Sequence, residues 1–239
     1  GAVIATTASY QASFEAFAAR GVSREETVRL LRRSVELAKT AGDEVGGADR
    51  HVAASVGPYG AALADGSEYR GRYGLSVEQL QDWHRPRLEV LADAGADVLA
   101  LETIPDVDEA EALVNLVQSL GVPAWLSYSI DGSCTRACQP LADAFAVAAG
   151  VPEIVAVGVN CCAPDDVLPA IESAQETGKP VIAYPNSGEH WDGRAWTGPR
   201  AFSAELAEQW ASAGARVIGG CCRVQPADIA ELALVLRRM

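Results

Sequence analysis

Seven near-continuous apolar runs recur along the chain, at 2–9, 51–57, 97–103, 123–130, 154–161, 180–186 and 216–222, and each is followed by a stretch with helical periodicity. Runs of this kind mark strands covered on both faces, and strict strand–helix alternation gives a parallel sheet with right-handed crossovers. No Ser/Gly-rich linker breaks the alternation, so residues 1–239 read as one domain. The expected architecture is α/β, a (β/α)8 TIM barrel, a fold that commonly takes about 250 residues. A closed barrel needs eight strands, and the chain opens at Gly1 already inside a strand run. A first βα unit of roughly 40 to 50 residues is therefore expected to precede it. Without that unit the first and last strands carry bare hydrogen-bonding edges. A flat doubly wound sheet is the second architecture, but no Gly-rich dinucleotide loop supports it.

Helix boundaries are marked by ordinary signals. Ser23 with Glu26, and Ser76 with Gln79, have the spacing of capping boxes. Pro164 and Pro226 suit a first helical turn, where the missing N–H is not needed. Leu113, Val114, Val117 and Leu120 form an apolar stripe that stops at Gly121, and Ile229, Leu232, Ala233 and Leu236 form another. Both stripes predict core contacts. Pro86 is expected to interrupt the helix that carries His84.

The formal net charge of −13 and the lack of a basic cluster argue against nucleic acid as a partner. No run of 18 or more apolar residues and no leader-like segment occurs, which predicts a cytoplasmic chain with no membrane span. Of the six cysteines, four sit as adjacent pairs at strand ends, a placement unlike a secreted disulfide framework.

Those pairs, Cys161-Cys162 and Cys221-Cys222, occupy the C-terminal ends of two strand runs, where a parallel barrel gathers its functional groups. Cys161, Cys221 and Cys222 are expected to converge on one Zn2+ and to leave its fourth position open. Adjacent strand residues point to opposite faces, so the strand must end or bulge at Cys221, with Gly219-Gly220 supplying backbone freedom. Spacing alone admits a second reading, buried or redox-active thiols.

Gly158-Val159-Asn160-Cys161 together with Gly219-Gly220-Cys221-Cys222-Arg223 resembles the zinc signature of the homocysteine S-methyltransferase family. The resemblance covers nearly the whole chain. It runs through Thr6-Thr7-Ala8-Ser9-Tyr10-Gln11, Ser55-Val56-Gly57-Pro58-Tyr59-Gly60, Ala64-Asp65-Gly66-Ser67-Glu68-Tyr69, Leu101-Glu102-Thr103 and Tyr184-Pro185-Asn186-Ser187-Gly188-Glu189. It is strongest to the branch that takes its methyl group from S-methylmethionine or S-adenosylmethionine rather than betaine. It implies zinc-dependent methyl transfer to L-homocysteine, giving methionine. Three thiolates and a substrate thiolate leave a formal charge near −2, which keeps the substrate sulfur nucleophilic while the metal lowers its pKa.

The resemblance also implies roles for other residues. Glu102 would hold the ammonium group of homocysteine, against the plainer reading of a strand-end carboxylate. Thr7 and Asn160 would orient the amino acid or support the metal shell, against simple loop hydrogen bonding. Asn186 and Ser187 would be donor-side or substrate-side contacts, against a turn-forming Pro-Asn-Ser-Gly. The family carries an Asp-Gly-Gly loop that helps clamp homocysteine, expected in the unit before Gly1. Cys134, Cys138 and Cys162 are expected as free thiols. His51 starts a strand at the wrong end, His84 is a surface or packing residue, and His190 is a loop residue that could border the donor pocket.

Two other functions compete. A Schiff-base aldolase needs a lysine at the C-terminal end of a strand, and Lys39 and Lys179 are both misplaced for it. A non-catalytic zinc- or thiol-binding barrel would keep the three cysteines without the substrate clamp.

Overall fold

A computed structural model describes residues 1–46 and 50–238. Seven strands form one sheet in chain order: β1 (Ile4–Thr6), β2 (His51–Val56), β3 (Val98–Ile104), β4 (Ala124–Tyr128), β5 (Ile154–Asn160), β6 (Val181–Tyr184) and β7 (Ala215–Ile218). Every neighbouring pair is parallel. The order never reverses, so the sheet lacks the switch point of a doubly wound fold and follows barrel topology. A side-chain hydrogen bond from Tyr184 on β6 to Glu102 on β3 spans three strand spacings. In a flat sheet that is about 14 Å, so the inner face is concave.

Residue alternation sorts the side chains between two apolar layers. Val52, Ala54, Val56, Leu99, Leu101, Leu126 and Val157 face outward into the main core beneath the helices. Ala53, Ala100, Trp125, Ala156 and Ile182 form a smaller inner cluster. Two residues further along, or four on β5, the inward positions turn polar, as Ser55, Glu102, Ser127, Asn160 and Tyr184. A polar floor at the C-terminal mouth follows directly from this period of two. Gly158 lies in that inner row, where a Cβ would sit 1.7 Å from the carbonyl oxygen of Ile182. Only glycine lets β5 and β6 approach so closely there.

The helices that cover the sheet are α1 (Arg24–Val45), α2 (Val77–Asp93), α3 (Val107–Leu120), α4 (Leu141–Ala146), α5 (Val167–Gln175), α6 (Ala204–Ser212) and α7 (Pro226–Leu236). Ser76 and Gln79 form a complete capping box at α2. At α1 only half of the expected box exists: Ser23 accepts from the Glu26 N–H, while the Glu26 carboxylate pairs with Arg29 one turn on. Pro226 opens α7 as expected, whereas Pro164 opens a short 3-10 turn that leads into α5. Helix α2 runs through Pro86 instead of stopping there. Leu80 on one side of the proline and Leu88 and Leu91 on the other are all buried, which holds both halves on one axis against a penalty of about 3 kcal/mol.

Leu113, Val114 and Val117 of α3 are buried as expected, and Gly121 ends that helix in the left-handed conformation. The α7 stripe differs, because only Leu232 is fully buried. Its other members lie beside a cavity of about 470 Å³ between β1 and β7, which Ile4, Thr6, Trp125, Tyr184 and Val217 also line. Among the described residues no strand pairs with the outer edges of β1 and β7, and the eighth strand expected for closure is not among them. No helix of the described residues is long and apolar enough to cross a membrane.

Candidate active site

Cys161, Cys221 and Cys222 meet at the C-terminal mouth of the sheet, with all three sulfurs within 4.8 Å of one another. Cys161 Sγ lies 2.9 Å from Cys221 Sγ and 3.6 Å from Cys222 Sγ. Among the described residues this is the one group of three or more His, Cys, Asp or Glu side chains arranged to hold a metal.

Local backbone geometry explains how two adjacent cysteines share one target. Strand β7 ends at Ile218, earlier than the sequence run, so Cys221 and Cys222 lie beyond the pleat that would separate them. The segment stays anchored to the loop after β6. Gly219 and Cys221 donate to the carbonyls of Ala183 and Pro185, and Ser187 donates to the carbonyl of Cys222. The Cys222 N–H is taken by Asn186 Oδ1 at 3.1 Å. The expected freedom of Gly219-Gly220 is not what the segment uses, since neither has a positive φ. Gly220 serves close packing instead, because a Cβ there would lie 2.2 Å from Val224 Cγ1.

On the other side, Cys161 leaves β5 with φ +51°. A left-handed turn at a non-glycine residue is strained by about 1–2 kcal/mol. It aims the Cys161 sulfur into the mouth and sends Cys162, fully buried, into the outer apolar core. Thr103 (φ +60°) and Arg223 (φ +67°) share this conformation beside the site, the clustering seen where structure holds functional groups in place.

The donor set fits a metal ion. A tetrahedral zinc with arms of about 2.3 Å needs sulfurs about 3.8 Å apart. The Cys161–Cys222 separation of 3.6 Å is close to that, and the Cys161–Cys221 separation of 2.9 Å is shorter. The thiols also compete for charge. Hydrogen bonds from Cys161 and Cys221 hold the Cys222 thiol far below its ordinary value, and the contacts with Cys161 and Cys222 push Cys221 well above it. A divalent cation is what allows all three thiols to ionise together.

Glu102 lies on the floor beneath them, 8% exposed. Ser55 Oγ donates to Oε1 and Tyr184 Oη to Oε2, the latter at 3.1 Å. Trp125 Nε1 donates in turn to Tyr184 Oη at 3.0 Å. Burial pushes the Glu102 carboxyl above its usual range, the two hydroxyls oppose that shift, and the Cys222 thiolate adds to it. Glu102 faces inward by strand alternation, and beside it the pairing with β4 shifts register between Leu101 and Ile104. Such a bulge leaves an unpaired N–H. Asn160 Oδ1 takes the Thr103 N–H at 2.7 Å and the Ser127 hydroxyl at 2.7 Å, while Asn160 Nδ2 donates to Thr103 Oγ1.

The remaining expected site residues are brought to the same mouth, largely as supports. Thr7 Oγ1 accepts the Ser55 N–H at 3.0 Å, which places the hydroxyl that binds Glu102. Ser187, fully buried, binds Glu189 Oε2 through its hydroxyl, and Glu189 pairs with Arg223. His190 lies exposed in a hairpin of His190–Trp191 with Trp196–Thr197. Cys134 and Cys138 stand outside the sulfur cluster. His51 is exposed at the start of β2, and Lys179 donates to the carbonyls of Val151 and Ile154 at the opposite end of the strands from the site. Tyr10, Ser55, Tyr69, Ser127 and Tyr184 were not singled out by sequence reasoning. Ser55, Tyr10, Tyr69 and Tyr184 lie inside the segments that carry the family resemblance, and the inward parity shared with Glu102 marks Ser55, Ser127 and Tyr184.

Comparison with known proteins agrees with this geometry. A family profile described as Homocysteine S-methyltransferase matches residues 1–236. The Homocysteine S-methyltransferase of Escherichia coli (strain K12) is 47% identical over 245 residues, covering 97% of this chain and 79% of the relative. Homocysteine S-methyltransferase YbgG of Bacillus subtilis (strain 168) is 44% identical, covering 100% of this chain and 81% of the relative. The crystal structure of the Escherichia coli homocysteine methyltransferase MmuM in its metallated form superposes with a TM-score of 0.87 at 45% identity, over 98% of this chain and 80% of that one. The chain belongs to the homocysteine S-methyltransferase family.

Proposed function

We propose that this enzyme transfers a methyl group from a sulfonium donor, S-methylmethionine or S-adenosylmethionine, to the thiolate of L-homocysteine, with Zn2+ held by Cys161, Cys221 and Cys222. The observation that carries the reading is the three-sulfur cluster standing over a buried carboxylate that has no cationic partner among the described residues. When bound, zinc supplies the Lewis acidity that keeps a substrate thiol ionised at neutral pH. Glu102 receives the ammonium group of homocysteine, and Ser55 and Tyr184 fix the direction of its oxygens. Asn186 and Ser187 hold the Cys222 peptide from both sides. Asn160 fixes the bulge beside Glu102, and Thr7 places Ser55.

In the reaction the donor's S–CH3 bond breaks, its electron pair stays on the donor sulfur, and a new S–CH3 bond forms at the homocysteine sulfur. A sulfonium cation and a thiolate become two neutral thioethers. No proton moves during the transfer, so the site needs orientation rather than a general base. A strand seated between β1 and β7 would complete the barrel and cover the open side of the mouth.

The test is to assay the zinc-loaded full-length protein with S-methylmethionine, S-adenosylmethionine and betaine side by side. Methyl transfer is expected from the two sulfonium compounds and not from betaine. Cys221→Ser is expected to lose bound zinc and methyl transfer together. Full activity in that variant, or after zinc has been stripped from the wild type, contradicts the reading; so does a preference for betaine.

A further inference from the structure

We propose that Tyr69 is a positioning residue for the metal centre: its hydroxyl donates a hydrogen bond to the Cys161 thiolate, and Arg136 holds it there. This rests on the zinc reading above and adds to it a group outside the ligand set.

Tyr69 ends a 3-10 turn, Ser67–Tyr69, in the loop after β2, far in sequence from any of the cysteines. Its Oη lies 3.6 Å from Cys161 Sγ. When that sulfur is ionised only the phenol has a proton to give, so the direction of the bond is fixed. The ring is gripped from the other side, with the Arg136 guanidinium 5.8 Å from its centroid, within cation–π range. Arg136 is tied back to the metal-side backbone. Its N–H donates to the carbonyl of Ser129 and its Nε to Ser129 Oγ at 3.4 Å. Ser129 Oγ donates to the carbonyl of Cys161 at 3.3 Å. The contacts close a ring from the Cys161 sulfur through Tyr69, Arg136 and Ser129 to the Cys161 carbonyl. That ring encloses a residue strained at φ +51°, so it holds both the backbone and the sulfur of one ligand.

A donor on a metal-bound thiolate withdraws charge from the sulfur, and groups that act on ligands in this way typically alter metal affinity by 10- to 100-fold. Tyr69→Phe removes the hydroxyl and keeps the ring, which is 40% exposed, so folding is not at stake. The experiment loads the wild type, Tyr69→Phe and Arg136→Gln with cobalt(II), and separately measures zinc transfer from each protein to a chelator. In Tyr69→Phe the sulfur-to-cobalt charge-transfer band is expected to move to longer wavelength, and because the ionised sulfur loses the donor that stabilises it against protonation, zinc is expected to bind about tenfold more weakly. Arg136→Gln should shift both in the same direction by less. An unmoved band in Tyr69→Phe overturns the proposal whatever the affinity does, and an unmoved Arg136→Gln overturns the part given to Arg136. A wild type that takes up neither cobalt nor zinc overturns the zinc reading and this inference with it.

Discussion

Two buried glutamates occupy different layers of this molecule. Glu102 is on the inner floor of the sheet and Glu109 is on α3, and burial pushes both carboxyls up, Glu109 to about 8. Their company differs. Glu109 Oε1 accepts the Tyr59 N–H at 2.6 Å and His84 Nε2 at 2.8 Å. Arg87 Nη2 donates to His84 Nδ1 at 2.8 Å and also to the carbonyl of Gly57, and its guanidinium stacks 4.6 Å over Trp83. Arginine has only donors, so His84 must accept at Nδ1 and carry its proton on Nε2; it is neutral, as its burial also dictates. The Glu109 cluster thus contains its own cation. Among the described residues Glu102 has two hydroxyl partners, the Cys222 sulfur nearby and no cation. A perturbed carboxyl alone therefore does not mark a functional site; a perturbed carboxyl lacking its counter-charge does.

The largest effect should come from breaking the self-contained cluster. Glu109→Ala strands the Tyr59 N–H and the His84 Nε2–H in a buried pocket. The expected loss is about 3 kcal/mol, read by chemical denaturation, with zinc content per folded molecule unchanged. The pH dependence carries the same signature. With its pKa raised to about 8, folded Glu109 holds a proton that the unfolded chain sheds near its ordinary 4.5. Its contribution is complete below that ordinary value and is lost as pH rises through about 8, so wild-type stability falls across this window. Glu109→Ala should flatten that fall. A variant as stable as the wild type would erase the contrast between the two glutamates.

Glu102→Gln should act on binding instead. It keeps the shape and removes the charge that would meet an ammonium, an interaction of about 2 kcal/mol, or roughly 30-fold in the KM for homocysteine. Metal content should not change, and stability should change little. Loss of zinc in this variant would place Glu102 in the metal shell and not on the substrate.

Much of this contrast was legible in the sequence, and the reasons differ by residue. The alternation of apolar runs predicts the parallel sheet from period and chain order alone, whereas cysteines at two run ends leave a metal site and buried or redox-active thiols both open, and the family resemblance decides between them. Glu102 stood out as a charge inside an apolar run. His84 did not, since its partners Arg87 and Glu109 are assembled by helix packing that no local pattern encodes. For Asn186 and Ser187 the resemblance implies donor-side or substrate-side contacts, against a turn-forming Pro-Asn-Ser-Gly. Here their polar groups are taken up by the peptide of Cys222 and by Glu189. The left-handed turns at Thr103 and Cys161 carry no sequence signal, because the strain is imposed by contacts between strands and not by residue type.

The smallest effect sharpens the comparison furthest, because it tests whether Glu102 depends on its hydroxyl partners. Tyr184 Oη donates to Glu102 Oε2 while accepting from Trp125 Nε1, so it passes the indole's polarity on to the carboxylate. Tyr184→Phe removes that donor without opening a cavity, since the ring remains packed against Trp125 at 6.3 Å between centroids. One hydrogen bond to a carboxylate contributes about 1.5 kcal/mol, which predicts a KM for homocysteine roughly tenfold higher with kcat little changed. The Ser55 hydroxyl stays on Oε1 in this variant, so the carboxylate keeps one anchor and its direction. If the loss fell on kcat instead, Tyr184 would be acting on the transferring sulfur and not through Glu102, and the inner glutamate would owe its aim to Ser55 and strand alternation alone.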